Sequence, residues 1–201
     1  RLQGEVKRDQ LLAISGRIAK RQIGKGPMVH ITPFMRNNRS PGGSGPMDGD
    51  GRRSIYVEVR RNHLEPMLTA FDKPTPFTTI GKRMVSNSPA QPLIMLNNEF
   101  VHQQAAIWAD ALLKTGNANT GELVNRAYLQ AFGREPEAWE TGAAVEFVEQ
   151  QQRAAGGDSL KQPLADLCHT LFNVKRSEEH TSELQSLVKH VCRLLLEKKK
   201  N

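Results

Sequence analysis

The first twenty-one residues, RLQGEVKRDQLLAISGRIAKR, set Leu2, Val6, Leu11, Leu12, Ile14 and Ile18 roughly along one stripe of a helix. Gly16 weakens that pattern, and Gly24 with Gly26-Pro27 ends it. Between residues 52 and 62 the period changes. In RRSIYVEVRRN, Ile55, Val57 and Val59 alternate with Tyr56 and Glu58, which predicts a strand. A strand needs a partner, and MVHIT at 28–32 is the nearest candidate for a small two-stranded ribbon. HLEPMLTAF then predicts a short helix or turn carrying Leu64, Met67, Leu68 and Phe71. The segment after it, DKPTPFTTIGKRMVSNSPAQ, is extended and irregular, because Pro74, Pro76 and Pro89 each disfavour helix at the preceding residue.

From Ala90 onward the pattern is helical. Leu93, Leu96, Phe100 and Val101 lead into Ala105, Trp108 and Leu112, the last three spaced by three and four. Asn97 or Asn98 is placed to cap a helix beginning at Glu99. The next helix starts behind Asn119 or Thr120, carries Leu123, Ala127 and Phe132, and stops at Gly133. A third has Pro136 near its first turn and Trp139, Val145 and Val148 facing inward. A fourth is capped by Ser159 and buries Leu160, Leu164, Leu167 and Leu171. The expected fold is therefore mainly α: a helical domain with a small β-ribbon and a long irregular Pro/Gly-rich segment.

Composition narrows the function classes. At 38% hydrophobic and 24% charged residues, the chain of 201 fits a globular protein with a modest core. No apolar run reaches the length of a membrane span. The net charge of +7 comes from scattered pairs such as Arg52-Arg53 and Arg60-Arg61, not from a continuous basic stripe, so no nucleic-acid partner is expected. Residues 36–51, RNNRSPGGSGPMDGDG, lack apolar anchors and read as a flexible loop. Their GGSG has no following GK[ST] and so does not cradle a phosphate in the P-loop manner.

Candidate chemistry is sparse. Cys168 and Cys192 belong to no CxxC or CxxCH, so neither a zinc site nor covalent haem is expected in this chain. His30, His63, His102 and His169 show no metal-ligand spacing. Cys168 and His169 are adjacent, which on a helix turns their side chains about 100° apart, a poor geometry for a catalytic pair. Glu65 and Asp72 flank the proline-rich segment without forming a recognisable carboxylate pair. The most distinctive region is GKRMVSNSPAQPLIMLNN at 81–98. Its polar side chains are expected to fix an irregular segment or to meet a partner. The candidate interaction or polar-network residues are Arg52, Arg53, Arg83, Asn87, Gln91, Asn97 and Asn98, and no catalytic residue is assigned.

Two resemblances organise this reading. RSEEHTSELQS at 176–186 resembles the translation of a common sequencing-library adapter, so 176–201 is expected to be a non-native tail and 1–175 the domain itself. RRSIYVEVRRN, HLEPMLTAFDKPTPFTTIGKRMVSNSPAQPLIMLNNEFV and LADLCHTLFN together resemble the PSD1 domain, also called DUF1553, of planctomycete-type bacteria. That resemblance implies a C-terminal fragment of a longer protein. It implies intramolecular partner domains, one DUF1549-like and one a c-type cytochrome domain that would carry haem c, in an exported or periplasmic protein. It supplies no catalytic residues. The function it implies is an accessory or interaction domain. The alternative is part of an enzyme, acting for example on polysaccharide, whose site needs the N-terminal domains.

Overall fold

The computed structural model describes residues 2–21, 23–36, 42–115, 119–156 and 159–174, so the tail at 176–201 and Cys192 lie outside the described residues. Seven α-helices occur among them: α1 (Gly4–Ile14), α2 (Pro66–Ala70), α3 (Ala90–Asn97), α4 (Glu99–Leu113), α5 (Thr120–Phe132), α6 (Ala138–Ala155) and α7 (Lys161–Asn173). The fold is mainly α. The chain divides into two compact units, residues 1–100 and 101–201.

In the first unit, α1 packs against α2 and against the 3-10 turn Ser54–Tyr56, and α2 packs against α3. The buried face of α1 differs from the apolar stripe. Gly4, Arg8, Leu11 and Leu12 are buried, spaced by four, three and one, whereas Leu2 and Val6 are exposed. Gly4 is there because of close approach: a Cβ at this position would lie 2.8 Å from the Cβ of Phe71. Arg8 takes a core position because the chain opposite it supplies acceptors rather than apolar groups.

The expected β-ribbon does not form, and no strand occurs among the described residues. Residues 54–56 make a 3-10 turn, and Ile55 and Val59 are exposed instead of lining a buried face. The expected partner, 28–32, makes no ladder with it; the contact is a single bond just before that segment, from the Glu58 N–H to the Pro27 carbonyl at 3.0 Å. Pro27 has no N–H to return, so a reciprocal ladder cannot start there. The Ser54 N–H, which a ladder would need, is taken by Asp9 Oδ1 at 2.7 Å. On its other side Val29 accepts from the Gly45 N–H, so 27–31 runs between two loops.

The regular elements among the second unit's described residues are all helices, with α6 packed against both α5 and α7, and α5 against α7. The end signals work locally. Asn119 Oδ1 accepts from the Glu122 N–H and starts α5, and Gly133 at φ 68° stops it. Glu137 and Glu140 form a capping box at the start of α6. Glu140 is also gripped by both Arg134 nitrogens at 2.6 and 2.7 Å. Burial pushes its carboxyl up, but the Arg134 bonds, the Glu137 N–H and the Arg134 charge outweigh it, and the net direction is down. Trp139, expected inside, lies at the surface, where its ring N–H donates to Glu137. Its place inside α6 is held by Ala144, Phe147 and Val148.

Trp108 of α4 is fully buried, its ring stacks on Phe172 at 5.0 Å, and its N–H donates to Gln130 Oε1. The side chain thus combines large apolar burial with a satisfied donor. Trp108→Ala is expected to destabilise the protein by about 3–5 kcal/mol. Urea unfolding followed by circular dichroism measures that loss; a change within the ±0.5 kcal/mol typical of surface sites would contradict this packing.

Candidate functional site

The seven sequence candidates fall into four settings. Arg52 is buried: its Nη1 donates to the Lys25 carbonyl at 3.0 Å and its guanidinium lies over the Tyr56 ring at 4.8 Å. Arg53 is exposed and pairs with Asp9 at 3.4 Å. Asn97 and Asn98 act on their own helices: Asn97 donates to the Leu93 carbonyl, and Asn98 Oδ1 accepts from the Phe100 N–H to start α4. Arg83 and Gln91 belong to one polar cluster, and Asn87 lies within the same segment with its side chain exposed.

Arg83 is the centre of that cluster. Nη1 and Nη2 donate to the two carboxylate oxygens of Glu5 at 3.2 and 2.9 Å. Nε donates to the Asp72 carbonyl at 2.9 Å, and Nη2 also to the Phe71 carbonyl at 3.1 Å. A planar guanidinium meets such a set with its fork, which a lysine ammonium cannot reproduce. Asp72 forms the second clasp. Its Oδ2 accepts from the Ser86 N–H and its Oδ1 from the Ser86 hydroxyl, both at 2.7 Å. Asp72 adopts φ 60°, the left-handed region that Asp tolerates better than most residues. Gln91 Nε2 reaches the Ser86 carbonyl at 3.4 Å. Residues 73–82 are therefore a loop with both feet tied together, by Arg83 on one side and by Asp72 on the other.

The clamp is built on α1. Glu5, Arg8 and Asp9 stand at i, i+3 and i+4, the spacing that puts side chains on one helix face. Glu5 holds Arg83. Arg8 donates to the Asp48 carbonyl at 2.8 Å, the Arg52 carbonyl at 3.0 Å and the Ser54 hydroxyl at 3.1 Å. Asp9 accepts from the Ser54 N–H and hydroxyl. The sequence candidates omitted this trio and Asp72. The available signal was Arg8 itself: an arginine on the i, i+4, i+7 row of an otherwise apolar face must be matched by acceptors elsewhere.

One carboxyl has the environment of a reactive group. Glu65 lines a cavity of about 20 Å³ together with His63, Arg60 and Lys73, room for roughly one water molecule. Burial pushes its carboxyl above the ordinary 4.5, against the lowering fields of Arg8, Lys73 and His30. In the second unit, His102 of α4 and His169 of α7 stack at 4.0 Å, and Asn173 Nδ2 lies 3.3 Å from His169 Nε2. Cys168 is fully buried, and burial pushes its thiol up, which keeps it protonated. Among the described residues no group of three or more His, Cys, Asp or Glu side chains could hold a metal ion, and no helix is long and apolar enough to cross a membrane.

Two substitutions check this geometry. Arg83→Lys is expected to cost about 1.5–3 kcal/mol, since charge is kept while the bidentate fork is lost; urea titration reads the difference, and an unchanged midpoint would refute the clamp. For Glu65 the raised carboxyl means the folded state favours the protonated form, so stability is lost as pH rises through and above 4.5. Glu65→Gln, which keeps the neutral shape, should match the wild type near about pH 4 and exceed it near about pH 7. The same urea titration at both pH values tests the sign.

With the geometry in hand, comparison with known proteins gives one match. The family model described as PSD1, protein of unknown function (DUF1553), matches residues 1–148. No curated protein and no solved structure matches this chain. The matched span contains the whole first unit with its α1-based clamp, together with α4, α5 and most of α6. The chain belongs to the PSD1 (DUF1553) family.

Proposed function

We propose that this chain is an accessory interaction domain of a larger exported, cytochrome c-associated multidomain protein, and that it docks a neighbouring domain through the segment 74–93. One observation carries the reading. The loop tied down by Arg83 and Asp72 holds Phe77, Met84 and Val85 with 61%, 74% and 79% of their surface in water. Ile80, and Leu93 in the following helix, are exposed as well. Large apolar side chains on a rigidly anchored segment, which contribute nothing to the domain's own core, mark interaction surfaces.

Lys82 stands within the same stretch, and Lys73 immediately precedes it. The partner surface that fits is an apolar face with carboxylates at its rim, where charge complementarity sets register and encounter rate. Arg83 supports this reading too, since its hydrogen bonds go to Glu5 and to backbone carbonyls. The association with DUF1549-like and cytochrome c-like domains, and export, rest on the family resemblance.

The test is a triple variant, Phe77→Ser, Met84→Ser and Val85→Ser, titrated against the DUF1549-like domain of the same polypeptide. Each side chain is worth up to about 1.5–3 kcal/mol if fully buried, so affinity should fall at least about tenfold. The variant's own melting temperature should hold, because these groups already face water. Unchanged affinity would sink the proposal, as would turnover of a substrate by this chain alone.

A further inference from the structure

A second cavity in the first unit shares no residue with the Arg83 clamp. It is a half-open depression of about 380 Å³ lined by Arg21, Lys25 and Arg52, with Asp50 as the only acidic side chain and Ala19 and Pro27 among the apolar ones. That volume falls within the roughly 300–1,000 Å³ of small-molecule sites. Three cations and one carboxylate give the lining a formal net charge of +2.

The cations are arranged in graded fashion. Arg52 is buried and fixed: it donates to the Lys25 carbonyl, and its plane rests over Tyr56. Arg21 uses Nε on the Ile23 carbonyl at 3.0 Å. Neither Arg21 nor Lys25 forms an ion pair with a described residue, although both face a common opening. Concentrating uncompensated positive charge around a cavity costs stability unless an anion relieves it. Residues 1–100 hold sixteen lysines and arginines against eight aspartates and glutamates, so this unit lacks the carboxylates to neutralise the site internally.

Asp50, also in the lining, stands in a turn of uncommon backbone geometry. Asp50 sits at φ 54°, and its N–H donates to Asp48 Oδ1 at 3.1 Å. Gly51 follows at φ 69°, where a Cβ would lie 2.0 Å from the Arg17 carbonyl. Only glycine permits that approach. The turn brings an acceptor, the Asp50 carboxylate, to a cavity otherwise dominated by donors.

We propose that this cavity binds a phosphate group. Arg21, Lys25 and Arg52 donate to its oxygens, and two charges on the anion match the net charge of the lining. Asp50 accepts a hydrogen bond from a protonated oxygen of hydrogen phosphate or from a hydroxyl beside the phosphate of a monoester. Sulfate at neutral pH has no such proton, and its oxygens would meet the Asp50 carboxylate as like charges. The site therefore favours phosphate over sulfate. It does not depend on the docking surface at 74–93, and the two readings stand or fall separately.

Isothermal titration of the full chain with inorganic phosphate, sodium sulfate and glycerol 3-phosphate tests the assignment. Inorganic phosphate should bind and sulfate should bind at least about tenfold more weakly. The exposed double variant Arg21→Gln/Lys25→Gln should lose about tenfold or more in phosphate affinity with no change in melting temperature. Asp50→Asn should erase the preference for phosphate over sulfate. Glycerol 3-phosphate binding more tightly than inorganic phosphate marks a monoester as the occupant, and weaker binding marks the free ion. Absence of phosphate binding, equal binding of sulfate, or full binding by the double variant overturns the proposal.

Discussion

A guanidinium buried in a protein must have its N–H groups matched, because leaving them unpaired away from water costs several kcal/mol. Arg8 satisfies that demand by drawing together the Asp48 and Arg52 carbonyls and the Ser54 hydroxyl, while its charged plane lies 5.5 Å over the Phe100 ring. Those acceptors belong to a stretch whose own regular hydrogen bonding is confined to short 3-10 turns. The constraint runs in both directions. The helix cannot bury Arg8 without the 48–54 turns, and the turns are drawn together by its donors at Asp48, Arg52 and Ser54, with Arg17 and Ala19 adding bonds to Asp48 and Gly51. Glu5, about one turn earlier, and Asp9, the next residue, extend the same logic to Arg83 and to Ser54. A single helix of eleven residues thus anchors both the 48–54 turns and, through Arg83, the foot of the 73–82 loop.

The two units are held by different physics. In the second, helices α5, α6 and α7 bury Leu123, Val124, Phe147, Val148, Leu164 and Leu167 against one another, and Trp108 with Phe172 adds an aromatic stack. Such a core is non-directional and tolerates conservative exchange of apolar volume. The first unit depends on directional bonds with long sequence separation, such as those from Arg8 and Arg83. Exchange of one partner there strands the other, which is the costly direction of hydrogen-bond asymmetry. An apolar substitution in α7 and a charge-preserving substitution at Arg83 therefore belong to different classes of perturbation, although both positions are partly or fully buried.

What could be read from the sequence follows the same division. Asn98, Asn119 and Gly133 act within a few residues of themselves, and the helices they bound came out as expected. Leu164, Leu167 and Leu171 of α7 obey simple helical periodicity and are buried. The alternation at Ile55, Val57 and Val59 misled, because Asp9, some forty-five residues earlier, captures the Ser54 N–H that a strand would have used. Val6 and Leu2 misled for a related reason: Arg8 outranks them for the interior once acceptors are available opposite. Trp139 is amphipathic, and a neighbouring carboxylate holds its N–H at the surface. Arg83 and Gln91 share a polar cluster with Glu5 and Asp72, and those partners gave no sequence signal, since nothing local links position 5 to position 83. Side-chain bonds between distant residues leave no period for a sequence reading to detect.

That economy bears on the loop at 73–82. Pro74 and Pro76 restrict its backbone, and the Arg83 and Asp72 bonds fix its ends, so its conformation needs no help from Phe77 or Ile80. A loop stabilised by its own apolar side chains would have turned them inward and surrendered them as contact groups. Here order comes from polar bonds and proline stiffness, which leaves the apolar groups outside. Presenting apolar side chains on an already ordered segment lowers the entropy lost on association, the term that most often separates weak from tight interfaces of equal area. The arrangement is costly for a domain acting alone, because it exposes apolar surface without return, and it becomes favourable once a second surface removes that area from water. In the docking role proposed above, the polar clamp and the exposed apolar residues are one device: the first fixes the position at which the second is used.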